Sequence, residues 1–365
     1  MSIAKLPHVK TVLTIIFMCI WLLWGAPPPV QAQTFTHPGG LHTQADLDRM
    51  KAKVAAGEHP WIDSWNKLIT DPQAQNTYAP AARANMGSSR QRADADAHAA
   101  YLNALRWCIS GDTTYAECAV RICNAWSSAV NQVPTGTDIP GLSGIPIFDF
   151  GMAAELLRVY PGWAPADFSR FKNMMVTYFY PVAHDFLTNH NGACISAYWS
   201  NWDISNIGAL LAMGVLCDDQ AKYDEAVEYF KNGPGMGSIM NTIPYVHPGN
   251  LGQWQESGRD QEHAQLAVGM LASICQVAWN QGLDLYGYDN NRLLAGAEYV
   301  ARTNLSLPVP YTAYNNCQGA NQLWVSINGM GRLDDRPVEP RLNPEALPAQ
   351  WHLIGGNEPG SECSG

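Results

Sequence analysis

GNLGQWQESGRDQEH, residues 249–263, runs directly into AQLAVGMLASICQVAW, residues 264–279. The second half carries Leu266, Met270, Ile274 and Val277 at helical spacing, which predicts an amphipathic helix with its far end anchored in a core. A helix starting near Ser257 would put Arg259 and His263, four residues apart, on one face, with Glu256 at its N-terminal lip. An acid, a cation and a titratable base would then share a small volume at the tip of a rigid element, which is how reactive groups are usually held. A structural ion pair between Glu256 and Arg259 is the competing reading.

The same helical spacing recurs on both sides of this stretch. Upstream, a loop leads to an N-cap at Thr43 and two helices that part near Gly57–Pro60. A second helical pair is divided at Gly111-Asp112, and further helices are expected at IFDFGMAAELLRVY, ADFSRFKNMMVTYFYPVAHDFL, NWDISNIGALLAMGVLC, QAKYDEAVEYFKNG and NNRLLAGAEYVARTNL. No run alternates as strands do. The intervals are irregular and lack a fixed repeat motif, so a solenoid array is disfavoured. An all-α chain folded as a closed or nearly closed ring of paired helices, an (α/α) toroid, fits better. In such a ring the long loops at one end carry the function. Here the loops at 76–92, 189–200, 241–256 and 306–322 are rich in Asn, Tyr, Trp and Gln, a composition suited to sugars, whose apolar faces stack on rings and whose hydroxyls bond amides. Most of the thirteen tryptophans are nevertheless expected to fill helix interfaces.

A chain of 365 residues that is 47% hydrophobic and only 15% charged can bury one large core. Lys5 and Lys10, the apolar run 12–24, prolines 27–29 and the small residues Val30-Gln31-Ala32 read as a signal peptide over residues 1–32, and hence as a secreted or periplasmic protein. Cleavage removes those two lysines and no acid, so the net charge moves from −10 to −12. Nucleic acid is thereby disfavoured as a partner, and a polyanionic ligand would need a locally basic cleft. Nothing after the signal reads as a membrane span. The eight remaining cysteines show no metal-site spacing and leave one or two disulfides open in unknown connectivity, with Cys123 and Cys275 expected as buried small hydrophobes. No metal or other cofactor is expected.

HPGGLHTQADLDRM, DADAHAAYLNALRWCISGDTTYAECAVRICNAW, SNWDISNIGALLAMGVL, QESGRDQEHAQLAVGML, AWNQGLDLYGYDNNRLLAGAEYVARTNL and the following VPYTAY together resemble alginate-lyase-type polysaccharide lyases of (α/α) toroid fold over about residues 36–336. Among these the chain is most similar to family 38, whose members cut alginate or glucuronan. The resemblance implies β-elimination at a 1,4-linked uronate. The carboxylate is neutralised, a base takes the C5 proton, and an acid protonates the departing O4. Better-known lyases of the superfamily use Asn-His on one helix and an Arg followed seven residues later by Tyr on another. Here the Asn matches Asn201, its His neighbour is Trp202, and the Arg and Tyr positions hold Glu256 and His263. The resemblance then implies that Glu256, protonated, and Asn201 donate to the substrate carboxylate, that His263 is the base, and that Tyr314 or Tyr311 is the acid, Tyr314 being preferred. A tyrosine acting as both base and acid is the alternative. Arg259 and Arg292 are the candidate cations for uronate, with Trp202, Trp254 and Gln255 as further substrate-binding residues.

The expected organisation is a signal at 1–32, a toroid lyase domain at 33–336, and a Pro- and Gly-rich tail at 337–365 without helical period. The partner is an anionic polyuronate and the chain is expected to be monomeric. Two other classes compete. A glycoside hydrolase on the same ring would need two carboxylates from Asp203, Glu256 and Asp260. A non-catalytic sugar-binding protein would keep the cleft alone.

Overall fold

The helix Ser200–Cys217 is buried along its whole length save at Trp202 and Cys217, and a helix with no polar face belongs at the centre of its domain. The computed structural model describes residues 34–258, 261–314 and 317. The expected signal, the tail and residues Arg259 and Asp260 therefore lie outside the described residues. The compact unit begins at Phe35.

Its helices in chain order are α1 (Gln44–Ala55), α2 (Trp61–Thr70), α3 (Arg90–Ser110), α4 (Thr113–Ala129), the short α5 (Ile139–Leu142), α6 (Gly144–Leu157), α7 (Pro165–Met174), α8 (Tyr180–Asn189), α9 (Ser200–Cys217), α10 (Gln220–Asn232), the short α11 (Ile239–Thr242), α12 (Gln261–Asn280) and α13 (Tyr288–Asn304). A π-helical turn, Met175–Phe179, joins α7 to α8. Helices α3, α6, α9 and α12 pack side by side in that order, and α4, α10 and α13 fold back on α3, α9 and α12 as hairpin partners. The result is the expected all-α (α/α) toroid.

Local signals set the helix ends. Thr43 and Asp46 form a capping box at α1. Gly111, in the left-handed region at φ 76°, ends α3, and the Asp112 side chain accepts from Thr114 N to start α4. At the far side of the ring, His37 bridges Glu155 at 2.5 Å and Asp218 at 2.8 Å, tying the HPGG segment to α6 and to the end of α9.

Three details differ from the sequence reading. The chain holds a short antiparallel hairpin, β1 (Tyr245–His247) with β2 (Leu251–Gln253). It turns on Gly249 at φ 85°, followed by Asn250 at φ 57°; two consecutive left-handed residues reverse a chain within too few residues to leave an alternating pattern. Next, α12 begins at Gln261 rather than near Ser257, and Gln255–Gly258 forms a separate 3₁₀ turn. Finally, Leu266 is exposed, and the buried stripe of α12 runs instead through Ala264, Ala267, Leu271, Ile274, Cys275, Val277 and Ala278. Alanines let α12 sit close against its neighbours, so the apolar face is phased on small residues that hydropathy spacing underweights.

Candidate active site

The chain beyond α13 is held to three separate parts of the fold. Tyr299 Oη donates to the Pro310 carbonyl at 2.8 Å. Gln253, at the end of β2, bonds Thr312 twice, giving Nε2 to its carbonyl and accepting from its amide, both at 2.7 Å. Cys317 N donates to Ser196 Oγ at 2.8 Å, and a disulfide joins Cys317 to Cys194. Between these fixed points lie Tyr311 and Tyr314, both half-buried. Tyr314 Oη donates to Met236 Sδ at 2.8 Å. Burial pushes the Tyr314 hydroxyl above its ordinary pKa, and hydrogen bonding from Gln255 and Ser196 only partly offsets this. Tyr311 is raised for the same reason, and Tyr245 on β1 adds to the rise of both. Such tyrosines keep their protons through neutral pH, as a proton donor must.

The second half of the site is the N-terminus of α9. Its N-cap residue Trp199 makes no side-chain cap bond to the helix, and the turn Gln255–Gly258, just ahead of the neighbouring α12, supplies the acceptors. Gln255 Oε1 accepts from Ser200 N at 2.9 Å. Glu256 Oε1 accepts from Ser200 Oγ at 3.0 Å and from Asn201 N at 3.1 Å. A carboxylate so placed satisfies free amides and meets the positive end of the helix dipole. One residue thus brackets the site, because Gln255 holds the helix end that carries Asn201 and also lies against the Tyr314 hydroxyl. Asn201 Oδ1 is buried without a hydrogen-bond partner among the described residues. An unpaired polar atom of this kind is costly unless something else completes it.

The residues expected from sequence divide accordingly. Asn201, Gln255, Tyr311 and Tyr314 lie at the two halves just described. Glu256 belongs with them: it is fully buried, and its Oε1 accepts from Ser200 Oγ and Asn201 N, which ties it to the N-terminus of α9. His263 is half-buried in the first turn of α12, soon after the Gln255–Gly258 turn. Trp202 stacks on Tyr198 at 4.8 Å and leans on Phe186, leaving part of its ring accessible. Trp254, expected to touch substrate, is fully buried and donates Nε1 to the Gly296 carbonyl at 2.8 Å, so it is a core residue. Arg292 is spent within the fold, donating to the Ile243 carbonyl at 2.9 Å and pairing with Asp289. Arg259 lies outside the described residues. Tyr245, Ser196, Met236 and the Cys194–Cys317 pairing escaped sequence reasoning. Only the cysteine count hinted at the last. Among the described residues no group of three His, Cys, Asp or Glu side chains could hold a metal ion.

Residues 44–306 match the sequence model of the alginate lyase family, and the chain belongs to that family. No curated protein matches it. Among solved structures it is similar to alginate lyase A1-III from Sphingomonas species A1, at 14% identity and TM-score 0.54, over 76% of this chain and 81% of that one. It is likewise similar to a histidine-to-alanine variant of A1-III complexed with tetrasaccharide, at 15% identity and TM-score 0.56, over 76% of this chain and 80% of that one. A tyrosine-to-phenylalanine variant complexed with tetrasaccharide gives 14% identity and TM-score 0.56, with the same coverage. At these identities the likeness is one of fold.

Proposed function

We propose that this chain is a secreted, monomeric polysaccharide lyase that cleaves a β-1,4-linked polyuronate by β-elimination, leaving a 4,5-unsaturated uronate at the new end. The observation that carries the reading is the bracketing of Asn201 and Tyr314 by Gln255 in a chain of the alginate lyase family. Asn201 turns its side-chain N–H to the substrate carboxylate and stabilises the charge that develops when the C5 proton leaves. His263 removes that proton, since histidine is the side chain that exchanges protons near neutrality. Tyr314 protonates O4 as the bond breaks, and Tyr311 flanks it. Glu256 holds Asn201 in place through the α9 N-terminus. Placement in family 38 within the broader family is part of the proposal.

The hydrolase reading is disfavoured at two of its three carboxylates, the third, Asp260, lying outside the described residues. Asp203 and Glu256 are both fully buried and are occupied by hydrogen bonds within the protein, whereas a hydrolase needs two carboxyl groups facing the scissile bond. Secretion rests on the N-terminal signal pattern, and the Cys194–Cys317 disulfide supports an oxidising compartment.

Mannuronate-rich alginate is the first expected substrate and glucuronan the second. Their carboxylates present the same chemistry to Asn201, so the choice falls to residues that sense ring hydroxyls, such as Tyr245 and Tyr311. Sulfated glycosaminoglycans are expected to be poor substrates, because Arg292, the candidate cation within the described residues, is already paired internally and is not available to meet sulfate. Purified protein assayed on polymannuronate, polyguluronate, glucuronan and chondroitin sulfate should act on polymannuronate fastest. A preference for the sulfated polymer would overturn the substrate assignment.

A further inference from the structure

Below the tyrosine loop lies a polar cluster that the proposed chemistry does not use. His190 ends α8, Asp203 sits in the first turn of α9, and Tyr229 belongs to α10. His190 and Asp203 are 1% and 0% exposed. Asp203 Oδ2 accepts from Tyr229 Oη at 3.1 Å and from Gly237 N at 3.0 Å. His190 Nε2 lies 3.2 Å from Asp203 Oδ1 and 3.2 Å from Tyr229 Oη. Burial and the Asp203 charge both raise the Tyr229 pKa, so its hydroxyl stays a donor.

Three helices therefore meet on one carboxylate, and a fourth segment is pressed against it. A Cβ on Gly235 would come within 2.1 Å of Asp203 Oδ2, 2.4 Å of Tyr229 Oη and 2.5 Å of His190 Nε2. A Cβ on Gly237 would come within 2.3 Å of Asp203 Cβ. Only glycine lets this loop approach so closely. Between the two glycines stands Met236. Its carbonyl accepts from Thr242 Oγ1 at 2.7 Å, and its Sδ accepts from Tyr314 Oη. The cluster is thus connected to the tyrosine loop through Met236 and to Asn201 through the first turn of α9.

We propose that the His190–Asp203–Tyr229 cluster is a positioning device that fixes the glycine loop, and with it Met236, so that the Tyr314 hydroxyl is aimed for proton transfer. The cluster is walled off by the loop it holds, so it acts through Tyr314 and does not touch substrate. This inference rests on the assignment of Tyr314 as the acid. A misplacement of one ångström in a reacting group costs far more in rate than in stability, which is why a buried cluster at this distance matters to turnover.

Tyr229→Phe removes one hydroxyl and is the variant to make, with His190→Gln as a second should the first fail to fold. Tyr229→Phe is expected to lower kcat on polymannuronate about 10-fold while KM stays within about twofold. In a Tyr314→Phe background the same substitution should cause no further loss, since the two residues act in one chain of contacts. An independent readout is peroxide oxidation of Met236 followed by mass spectrometry, which should be faster in Tyr229→Phe than in the native protein because Met236 is released from its bond and its burial. An unchanged kcat, an additive loss in the double variant, or native-like oxidation of Met236 would each overturn the proposal. Absence of elimination by the native protein would instead sink the lyase reading, and the oxidation rate alone would then decide the positioning role.

Discussion

Tyr314→Phe should lower kcat on polymannuronate by about 10²–10⁴-fold, the usual cost of losing a general acid, while the protein unfolds at nearly its native temperature. The substitution deletes one oxygen. The ring keeps its burial, and the hydroxyl gives up its bond to the Met236 thioether and its hydrogen bonding with Gln255 and Ser196, so the stability effect should be about 1–2 kcal/mol, small beside the loss of rate. The sign of the pH dependence follows from the raised Tyr314 pKa. A raised pKa extends the protonated, competent form to higher pH, so the native rate should persist into the alkaline range and fall only as pH approaches that elevated value. Tyr314→Phe should lose this alkaline limb. Steady-state kinetics across pH provides the check, and a variant that retained more than about a tenth of native kcat would remove Tyr314 from the acid role.

The second large effect is expected at His263. If it takes the C5 proton, His263→Ala should cost about 10²–10⁴-fold in kcat with little change in KM. The side chain is half-buried at the start of a helix whose core contacts begin at Ala264, so its truncation should leave the ring of helices intact, as circular dichroism would register. Near-native turnover in a folded His263→Ala would shift the base role to a tyrosine, either Tyr311 or Tyr245, whose charge bears on both Tyr311 and Tyr314.

Much of the ring could be read from local signals. Thr43, Gly111 and Asp112 announce their helix ends through short-range backbone requirements, and the apolar run of α9 announces a central helix. The α9 N-terminus and the VPYTAY loop could also be singled out, and there the structure sets Asn201 and Tyr314, whose roles belong to the proposal. The partners that organise them could not. Glu256 caps a helix 55 residues earlier, the Cys194–Cys317 bridge spans a separation of 123, and His190, Asp203 and Tyr229 converge from three helices. Pairings through space leave no periodicity in a sequence. Trp254 shows the opposite error, in which a residue type common at sugar sites turned out to fill a core gap beside Gly296.

The central claim is elimination at a uronate. It is tested most directly by incubating the purified native protein with polymannuronate and following, in the same reaction, ultraviolet absorbance from unsaturated uronate and the appearance of reducing ends. The two signals should rise together in equal molar amounts, and both should collapse in Tyr314→Phe. Reducing ends without the absorbance would identify a hydrolase, and binding with neither signal would identify a non-catalytic sugar-binding protein; either result would contradict the account.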